Sequence, residues 1–499
     1  MSEPAPQRGL VAQLRQLASH SVVYGTADVF GNVVSLLLLP LLTLYLSAQE
    51  YGDVVLLGMF SALAKILFRL GLDGGFFRVY YDHRERDPRR FAGSVALFAA
   101  AVGTAWWLLV LATAAPLTTG LLGARPELWV ILAAGDVALG TLIYVPLNLL
   151  RIQDRPGLFS LLSTGRHTVN LGLKVALVMA GHGVEGVLWS DLLATAAIAL
   201  ALLPVLVRGT RLAFDWRLLR EALAFGLPKV PHGLLVQVQN VADRKLLDRY
   251  VPRAVVGQYG VAYSLGAGVK LALSAFEPAW GPFIYSRMRE PDAPRTFARV
   301  ITWAWLAFAV AGTGVAVFAS ELLQIFTSRP EFRAGAPVIP IVALAYLFHG
   351  AFLLTSIGIG VKKRTRWYPV ITAASATTNV VANLMLIPRL GMLGAAWATV
   401  LSYAVMAGLG FGISRRLYPL PLEWGRLGRI TAAALGVYLA AQLVPSGTLS
   451  LAIPVKLGLL AALPALLLAS GFATPRERSA LRERLRRTRR GPSRREEEP

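Results

Sequence analysis

The segments "GVEGVLW" at residues 183–189 and "GMLGAAW" at residues 391–397 share two glycines and a closing tryptophan. Each opens a long apolar run, and the run from Gly391 to Ile413 contains no charged residue. About 20 apolar residues in a helix cross a bilayer, because a helix satisfies its own backbone hydrogen bonds in lipid. Both segments therefore begin predicted transmembrane helices.

Similar apolar runs recur along the chain from Ser21 to Phe472. Of the 499 residues, 55% are hydrophobic and only 16% are charged, whereas about 25% are charged in an average soluble protein. The sequence thus predicts an all-α, polytopic membrane protein with about 14 transmembrane helices, hereafter spans 1 to 14. The predicted spans cover residues 21–46, 53–80, 91–115, 127–150, 157–181, 184–207, 221–249, 256–285, 297–320, 337–361, 368–388, 391–413, 426–445 and 450–472.

The distribution of positive charge predicts the orientation. The net charge of +22 would indicate nucleic-acid binding in a soluble protein, but in a membrane protein it marks cytoplasmic loops. The termini and the loops after even-numbered spans hold most of the cations. The loops after odd-numbered spans hold six, namely Arg125, Arg249, Arg253, Arg329, Arg333 and Arg389. We expect a multi-pass protein of the bacterial inner membrane with both termini in the cytoplasm and no nucleic-acid partner.

The two membrane faces are named by their loops. The odd face carries the loops after odd-numbered spans and is predicted to be periplasmic, and the even face is predicted to be cytoplasmic. Residues 1–20 are predicted to form a cytoplasmic amphipathic segment, since Leu10, Leu14 and Leu17 share one helical face. Residues 473–499 form a basic cytoplasmic tail.

Two internal matches indicate a duplication. The opening pair of segments lies 208 residues apart, and "EYGDVVLLGMFSALAK" (50–65) matches "VVGQYGVAYSLGAGVK" (255–270) at an offset of 205. The second match equates Gly52 with Gly257 and Lys65 with Lys270. We therefore expect two pseudo-symmetric six-helix lobes, at 21–207 and 208–413, with spans 13 and 14 (414–472) outside the repeat. Such paired lobes are typical of transporters that alternate access around a midplane site.

Three stretches resemble the polysaccharide flippases of the multidrug/oligosaccharidyl-lipid/polysaccharide exporter superfamily. They are "VKKRTRWYPVITAASATTNVVANLMLIPRLGMLGAAWATVLSY" (361–403), "FGLPKVPHG" with "ADRKLL" in span 7, and "VGQYGVAYSL" in span 8. The resemblance implies a V-shaped two-lobe fold. It also implies a flippase that moves undecaprenyl-diphosphate-linked oligosaccharides, such as O-antigen units of lipopolysaccharide, to the periplasmic leaflet.

Charged residues inside the spans are the candidate site. A cation at a helix centre costs roughly 2.5–3.5 kcal/mol unless it faces protein or water, and the buried charges concentrate in spans 1, 2 and 4 to 8. Lys65 and Lys270 lie at matched depth near the midplane, one in each lobe, and could hold a diphosphate between them as point charges. Four further cations are predicted to line the same central cavity: Arg69, Arg166, Lys229 and Arg244.

Other buried charges have alternative interpretations. Lys174 with Asp191 is predicted to be a structural ion pair, and Asp243 with Arg244 matches an acidic–basic pair of the resembling family. Lys245 and Lys456 are expected to extend their ammonium groups toward water. Three acids could bind a coupling H+ or Na+, namely Asp28, Asp136 and Glu277. Asp136 and Arg166 could equally be paired with each other or line the cavity.

Alternative functions make different demands on the sequence. A lipid II flippase is compatible with the two extra helices, whereas a multidrug exporter for organic cations would require a net acidic cavity. A membrane glycosyltransferase, polymerase or ligase requires catalytic groups in sizeable periplasmic loops, which are short here. We expect a monomeric transporter without catalytic residue, metal or cofactor. Its expected partners are the polyprenyl-diphosphate-linked oligosaccharide, membrane lipid and a coupling ion.

Overall fold

A computed structural model describes residues 38–82, 87–153, 155–211, 213–444 and 449–472. The predicted amphipathic segment 1–20, the tail 473–499, most of span 1 and the candidate Asp28 lie outside these residues. Within them the chain is helical and contains no strand. Nine of the described helices are long and apolar enough to cross a membrane. The expected all-α membrane fold is therefore confirmed.

The helices fall on the predicted spans, with span 1 described only at its end. The first lobe contains Leu39–Tyr45 (span 1), Ala48–Arg69 and Leu72–Asp82 (span 2), Pro88–Ala112 and Ala114–Leu122 (span 3), Glu127–Ile152 (span 4), Pro156–Met179 (span 5) and Gly183–Gly209 (span 6). The second lobe contains Trp216–Gly226 and Val230–Tyr250 (span 7), Arg253–Gly266 and Val269–Arg287 (span 8), Ala293–Val317 and Ala319–Phe326 (span 9), Val338–Thr355 and Ile357–Val361 (span 10), Trp367–Leu390 (span 11) and Met392–Leu417 (span 12). Trp424–Gln442 and Leu449–Ala469 form spans 13 and 14.

Helix boundaries repeat between the lobes. Span 3 begins at Pro88 and is interrupted at Thr113, and span 9 begins at Ala293 and is interrupted at Phe318. Both features recur 205 residues later, which is the offset that the sequence match predicts. The same pairs of spans pack together in each lobe: 3 with 4, 4 with 6 and 5 with 6 correspond to 9 with 10, 10 with 12 and 11 with 12.

The two glycines of the opening match have the same backbone conformation. Gly183 has a φ of 51° and Gly391 a φ of 56°, in the left-handed region that favours glycine. Each stands at the tight turn that begins an inner helix of its lobe, span 6 or span 12. Trp189 and Trp397, the closing tryptophans, are both partly exposed on the outside. The duplication is therefore present in the local geometry as well as in the helix order.

Spans 13 and 14 pack on the outside of the second lobe against span 9. The contact is mainly apolar and includes Ile430, Val437 and Leu463. At its odd-face end, the Lys456 ammonium lies 2.7 Å from a carboxylate oxygen of Glu321, and both residues are buried. The expectation that Lys456 extends toward water is wrong, because Glu321 supplies a partner inside the protein.

The lobes meet mainly along span 2, which packs against spans 7 and 8. Near the odd face, spans 2 and 8 cross at Gly52 and Gly257, where any added Cβ would meet the backbone of the other helix. Near the even face, Gly71 of span 2 and Gly226 of span 7 cross in the same way. Glycine permits such close approach because it has no side chain, so span 2 touches span 8 backbone to backbone at the odd face and the start of span 7 at the even face.

Candidate substrate cavity

A cavity of about 210 Å³ lies within the first lobe. All of its walls come from spans 2, 4 and 5, and it follows span 4 from Asp136 to Arg151. That distance is about 22 Å at 1.5 Å per residue, so the cavity extends from mid-membrane to the even face. Its charged lining residues are Lys65, Arg69, Asp136, Arg151 and Arg166. Four cations against one carboxylate leave an excess of three positive charges.

Span 2 brings Lys65 and Arg69 to the cavity. They are four residues apart on the helix Ala48–Arg69, so they lie on one face about one turn apart. The helix ends immediately afterwards, where Leu70 has a φ of 48° and Gly71 a φ of 73°. The Tyr144 hydroxyl of span 4 donates to the Leu72 carbonyl at 2.9 Å, which holds the two spans together at this break.

A hydrogen-bonded chain joins spans 4, 5 and 6 at the mid-membrane end of the cavity. An Arg166 guanidinium nitrogen donates to the Thr195 hydroxyl at 2.8 Å, and that hydroxyl donates to Asp136 Oδ1 at 2.5 Å. The same Asp136 oxygen lies 3.6 Å from Arg166. Asp136 is buried. It pairs with Arg166 and also lines the cavity, so both interpretations that the sequence left open are correct. Asp136 thereby positions the guanidinium.

The predicted ion pair between spans 5 and 6 is confirmed. The Lys174 ammonium lies 2.7 Å from Asp191 Oδ1, and the Asn170 amide donates to the same oxygen at 2.7 Å. These residues are not among those that line the cavity. Lys174 is therefore neutralised by its own partner, while the lining of the cavity keeps its positive excess.

The remaining predicted site residues lie in the second lobe. Arg244 pairs with Asp243 at 3.0 Å, which confirms that predicted pair, and its guanidinium lies over the Tyr263 ring at 4.7 Å from the centroid. Glu277 is exposed on span 8. Lys229 ends a 3-10 turn at Leu227–Lys229, and its side chain lies outside what the structure describes.

The structure does not bring Lys270 into the cavity that Lys65 lines. Span 2 is one continuous helix from Gly52 to Lys65, whereas span 8 is interrupted at Ala267 and Gly268, just before Lys270. The interruption therefore falls in span 8 directly before Lys270, where the matching stretch of span 2 is continuous up to Lys65. Lys270 is exposed in the second lobe, and a role for it in substrate binding stays a prediction.

A group of four charged residues joins the lobes at the odd face, and we name it the Asp53 latch: Asp53, Arg125, Asp248 and Arg253. Arg253 of the second lobe lies 2.6 Å from Asp53 of the first lobe and 2.6 Å from Asp248. Arg125, in the loop after span 3, lies 2.9 Å from the other Asp53 oxygen. Asp53 has no exposed surface, and its negative charge is neutralised by Arg125 and Arg253.

Other contacts close the odd face around the latch. The Lys245 ammonium donates to the Leu121 carbonyl at 2.9 Å and lies 3.1 Å from Asp248, so the expectation that it extends toward water is wrong. Glu331, in the loop after span 9, accepts the Ala48 backbone N–H at 2.9 Å and so caps span 2 from the opposite lobe. The lobes are thus held together by polar contacts at this face.

Sequence reasoning missed two parts of this arrangement. Arg151 lies just beyond the predicted end of span 4 at residue 150, yet the helix continues to Ile152 and Arg151 lines the even-face end of the cavity. The Asp53 latch was missed because its partners are 200 residues apart in the chain. An available signal was the position of Asp53 and Arg253 beside the matched glycines Gly52 and Gly257.

The chain resembles known proteins in its fold and in its first half. A family model described as "Polysaccharide biosynthesis protein" matches residues 41–276, from the end of span 1 into span 8. No curated protein matches the chain. Among solved structures, "Lipid II flippase MurJ, inward closed conformation" superposes with a TM-score of 0.73 at 11% identity, covering 91% of this chain and 100% of that chain.

Two multidrug transporters have a similar fold. An inward-facing multidrug resistance MATE family transporter of the MOP superfamily has a TM-score of 0.64 at 14% identity and covers 81% of this chain and 96% of its own. The MATE multidrug transporter DinF-BH has a TM-score of 0.58 at 15% identity and covers 83% and 98%. These likenesses define a class by fold: the chain is a multi-pass membrane protein whose fold is shared with these solved transporters.

The resemblance found in the sequence is thereby confirmed. The fold is similar to that of solved members of this superfamily, and the family model for polysaccharide biosynthesis matches residues 41–276, somewhat less than half of the chain.

Proposed function

We propose that the protein moves undecaprenyl-diphosphate-linked oligosaccharide from the cytoplasmic to the periplasmic leaflet by alternating access. The observation that carries the proposal is the cavity of the first lobe, whose lining combines Lys65, Arg69, Arg151 and Arg166 with a single carboxylate. A diphosphate suits this lining because it carries about two negative charges, and cationic side chains form strong charge-assisted hydrogen bonds with phosphate oxygens. An organic cation would be repelled.

The arrangement of the cations supports entry from the even face. Arg151 stands at the end of span 4, and Lys65 and Arg166 lie deeper in the same cavity. A diphosphate entering from the cytoplasmic leaflet would meet Arg151 first and then Arg69. Each step exchanges one cationic partner for the next, so the anion need not lose all its partners on the way to mid-depth.

Asp136 has a positioning role in this proposal. Because Arg166 and the Thr195 hydroxyl already satisfy it, its charge fixes the guanidinium rather than competing for substrate.

The alternative substrate is lipid II, which bears the same undecaprenyl diphosphate. It is favoured by the fold likeness to a lipid II flippase, which covers 91% of this chain. Flipping assays in proteoliposomes with fluorescent lipid-linked oligosaccharide and with lipid II distinguish the two. Faster movement of the oligosaccharide supports the proposal, and movement of lipid II alone replaces it with the alternative.

Binding of undecaprenyl diphosphate to the protein in nanodiscs tests the cavity itself. We expect Lys65→Gln to weaken binding at least tenfold, which equals about 1.4 kcal/mol, and undecaprenol to bind weakly to both proteins. The matched control is Arg220→Gln, which removes an exposed cation outside the cavity and should leave the affinity unchanged. Equal affinity of the unaltered protein for undecaprenol and its diphosphate would contradict a phosphate-binding cavity.

A further inference from the structure

The helix Trp216–Gly226, which we name the linker helix, begins span 7 and follows the loop that joins the two lobes. Its apolar face is buried in a cluster of the first lobe. Leu219, Ala222 and Leu223 pack there with residues of spans 2, 3 and 4, namely Leu72, Phe76, Val79, Phe91, Ala92, Val95, Val145 and Leu149. By packing, the linker helix is therefore part of the first lobe, although by sequence it opens the second.

Backbone contacts fix the linker helix to span 2. A Cβ on Gly71 would overlap the carbonyl group of Gly226, and a Cβ on Gly226 would overlap that of Gly71. One turn further along, a Cβ on Gly75 would overlap the carbonyl oxygen of Ala222. The two helices are therefore in backbone contact at two positions one turn apart.

The loop before the linker helix is also attached to the first lobe. The Arg211 N–H donates to the Arg89 carbonyl at 3.0 Å. The Ser94 hydroxyl of span 3 donates to the Ala213 carbonyl at 3.1 Å and accepts the Asp215 N–H at 2.8 Å. Asp215 in turn caps the linker helix by accepting the Arg217 N–H at 3.0 Å. The connection between the lobes is therefore docked along most of its length.

The packing partner changes directly after Gly226. Leu227–Lys229 forms a 3-10 turn, and the helix Val230–Tyr250 that follows packs mainly on span 11 of the second lobe. There the Gln239 amide donates to Ser375 at 2.8 Å and to Ser402 at 2.9 Å.

Two prolines stand at this change of partner. Pro228 and Pro231 lack the N–H groups that would continue the helical hydrogen-bond ladder, and proline is the usual cause of a sharp kink in a helix. A 3-10 interruption of span 7 is therefore present at these prolines. It coincides with the boundary between the two packing units.

We propose that residues 208–226 move with the first lobe and that the hinge between the lobes is the segment from Leu227 to Pro231, inside span 7. The functional boundary then lies about twenty residues after the start of the second repeat. Rotation of the lobes bends span 7 at a 3-10 turn where two prolines remove N–H donors, while the docked loop and the linker helix keep their contacts.

Distances between spin labels in nanodiscs test the proposal, and the chain contains no native cysteine to interfere. Cysteines replace exposed residues of the even face: Arg220 in the linker helix, Gln153 after span 4, and Arg364 and Arg415 in the second lobe. Each pair is measured with the Asp53 latch intact and with Arg253→Gln or, as a second way to release it, Asp53→Asn. No substrate is needed, so the outcome is independent of which lipid is carried.

The hinge predicts a specific pattern. The Gln153–Arg364 and Arg220–Arg364 distances should shift together when the latch is released, and the Arg220–Gln153 distance should not. The Arg364–Arg415 pair lies within the second lobe and should stay constant as the control. A shift of Arg220–Gln153 with a constant Arg220–Arg364 distance would place the linker helix in the second lobe and overturn the proposal. If neither latch variant changes the Gln153–Arg364 distance, the lobes do not move relative to each other, and the proposal of a hinge fails as well.

Discussion

Gly52 of span 2 and Gly257 of span 8 hold equivalent positions in the two repeats and pack directly against each other at the odd face. A Cβ on Gly52 would stand 2.5 Å from the Arg253 carbonyl oxygen, and one on Gly257 would overlap the Ala48 carbonyl oxygen and lie 3.0 Å from the Gly52 nitrogen. Equivalent residues of a pseudo-twofold repeat can touch only close to the axis that relates them. The axis between the lobes therefore passes near this crossing.

Substitution of the crossing glycine should separate the lobes. We expect Gly257→Ala to lower stability by about 1–3 kcal/mol, because an added methyl group in a tight contact forces backbone shifts. Thermal unfolding of the purified protein measures the effect. The matched control is Gly58→Ala in span 2, where an added Cβ meets nothing within 4 Å and helix propensity favours alanine. Equal stability of Gly257→Ala and the unaltered protein would contradict the close crossing.

Release of the Asp53 latch should open the odd face. Asp53→Asn keeps the size of the side chain but removes the charge that neutralises Arg125 and Arg253. We expect a membrane-impermeant maleimide added from the odd face to label Gly140→Cys, a position that lines the cavity, faster in the Asp53→Asn background.

The control for the latch is a weaker pair at the same face. Arg329 and Glu331 are about 4.0 Å apart, and their side chains are 40% and 42% exposed. The Arg329 guanidinium also donates to the Leu44 and Tyr45 carbonyls, but these contacts are exposed and long, at 3.3 and 3.5 Å. Arg329→Gln should therefore change labelling far less than Asp53→Asn. Exposed ion pairs contribute little because water screens them. Identical labelling rates in the Asp53→Asn and Arg329→Gln backgrounds would mean that the latch does not close this face.

The features that could be predicted from the sequence are those that depend on local sequence patterns. Apolar length gave the spans, and the repeated glycines gave the duplication, since both depend on residues close together in the chain. The buried cations Lys65, Arg69 and Arg166 were predictable because a charge in a long apolar run must face protein or water. Which of them share a cavity was not, because that depends on the direction of each helix.

The interruption of span 8 shows why. Nothing in "SLGAGVKLAL" (264–273) distinguishes a continuous helix from the break observed at Ala267 and Gly268, since glycine is tolerated in membrane helices. Because of this break, the position of Lys65 in span 2 does not predict the position of Lys270 in span 8. Likewise, the partner of Lys456 could not be found, because Glu321 belongs to a separate short helix at the end of span 9.

The Lys456–Glu321 pair should fasten span 14 to span 9. Both side chains are almost fully buried, and removal of one partner from a buried pair costs about 3–5 kcal/mol because the other charge is left uncompensated. Lys456→Met should therefore lower the thermal stability strongly. The double variant Lys456→Met with Glu321→Leu should recover most of the loss, since apolar replacement of a whole buried pair is often neutral. A double variant as unstable as Lys456→Met would contradict this account.

The orientation predicted from the basic loops can be measured directly. Reporter fusions after Arg211 and Lys363 should report cytoplasm, and fusions after Ala124 and Ser328 should report periplasm, because loops rich in Lys and Arg remain inside. A fusion at the C-terminus should also report cytoplasm. The opposite result at Ala124 and Ser328 would invert the two faces and with them the direction of entry into the cavity.

The last prediction concerns the two lysines of the repeat. Lys65 lines the cavity with Arg69 and Arg166, whereas the break in span 8 leaves Lys270 in different surroundings. We therefore expect Lys65→Gln to weaken binding of undecaprenyl diphosphate at least tenfold, about 1.4 kcal/mol, and Lys270→Gln to change it less than twofold. Lys65→Arg should retain part of the affinity, because the charge survives although the head group is larger and planar.

A double-mutant cycle distinguishes separate lysines from a shared clamp. Separate sites give additive effects on the binding free energy, while two groups that hold one ligand do not. Because the lysines lie in different lobes and do not share this cavity, we expect the Lys65→Gln, Lys270→Gln double variant to bind as the sum of its single effects predicts. If the double variant binds no worse than the poorer single variant, and both singles are impaired, one diphosphate is held by both lysines. Span 8 would then have to straighten at Gly268 when the substrate binds.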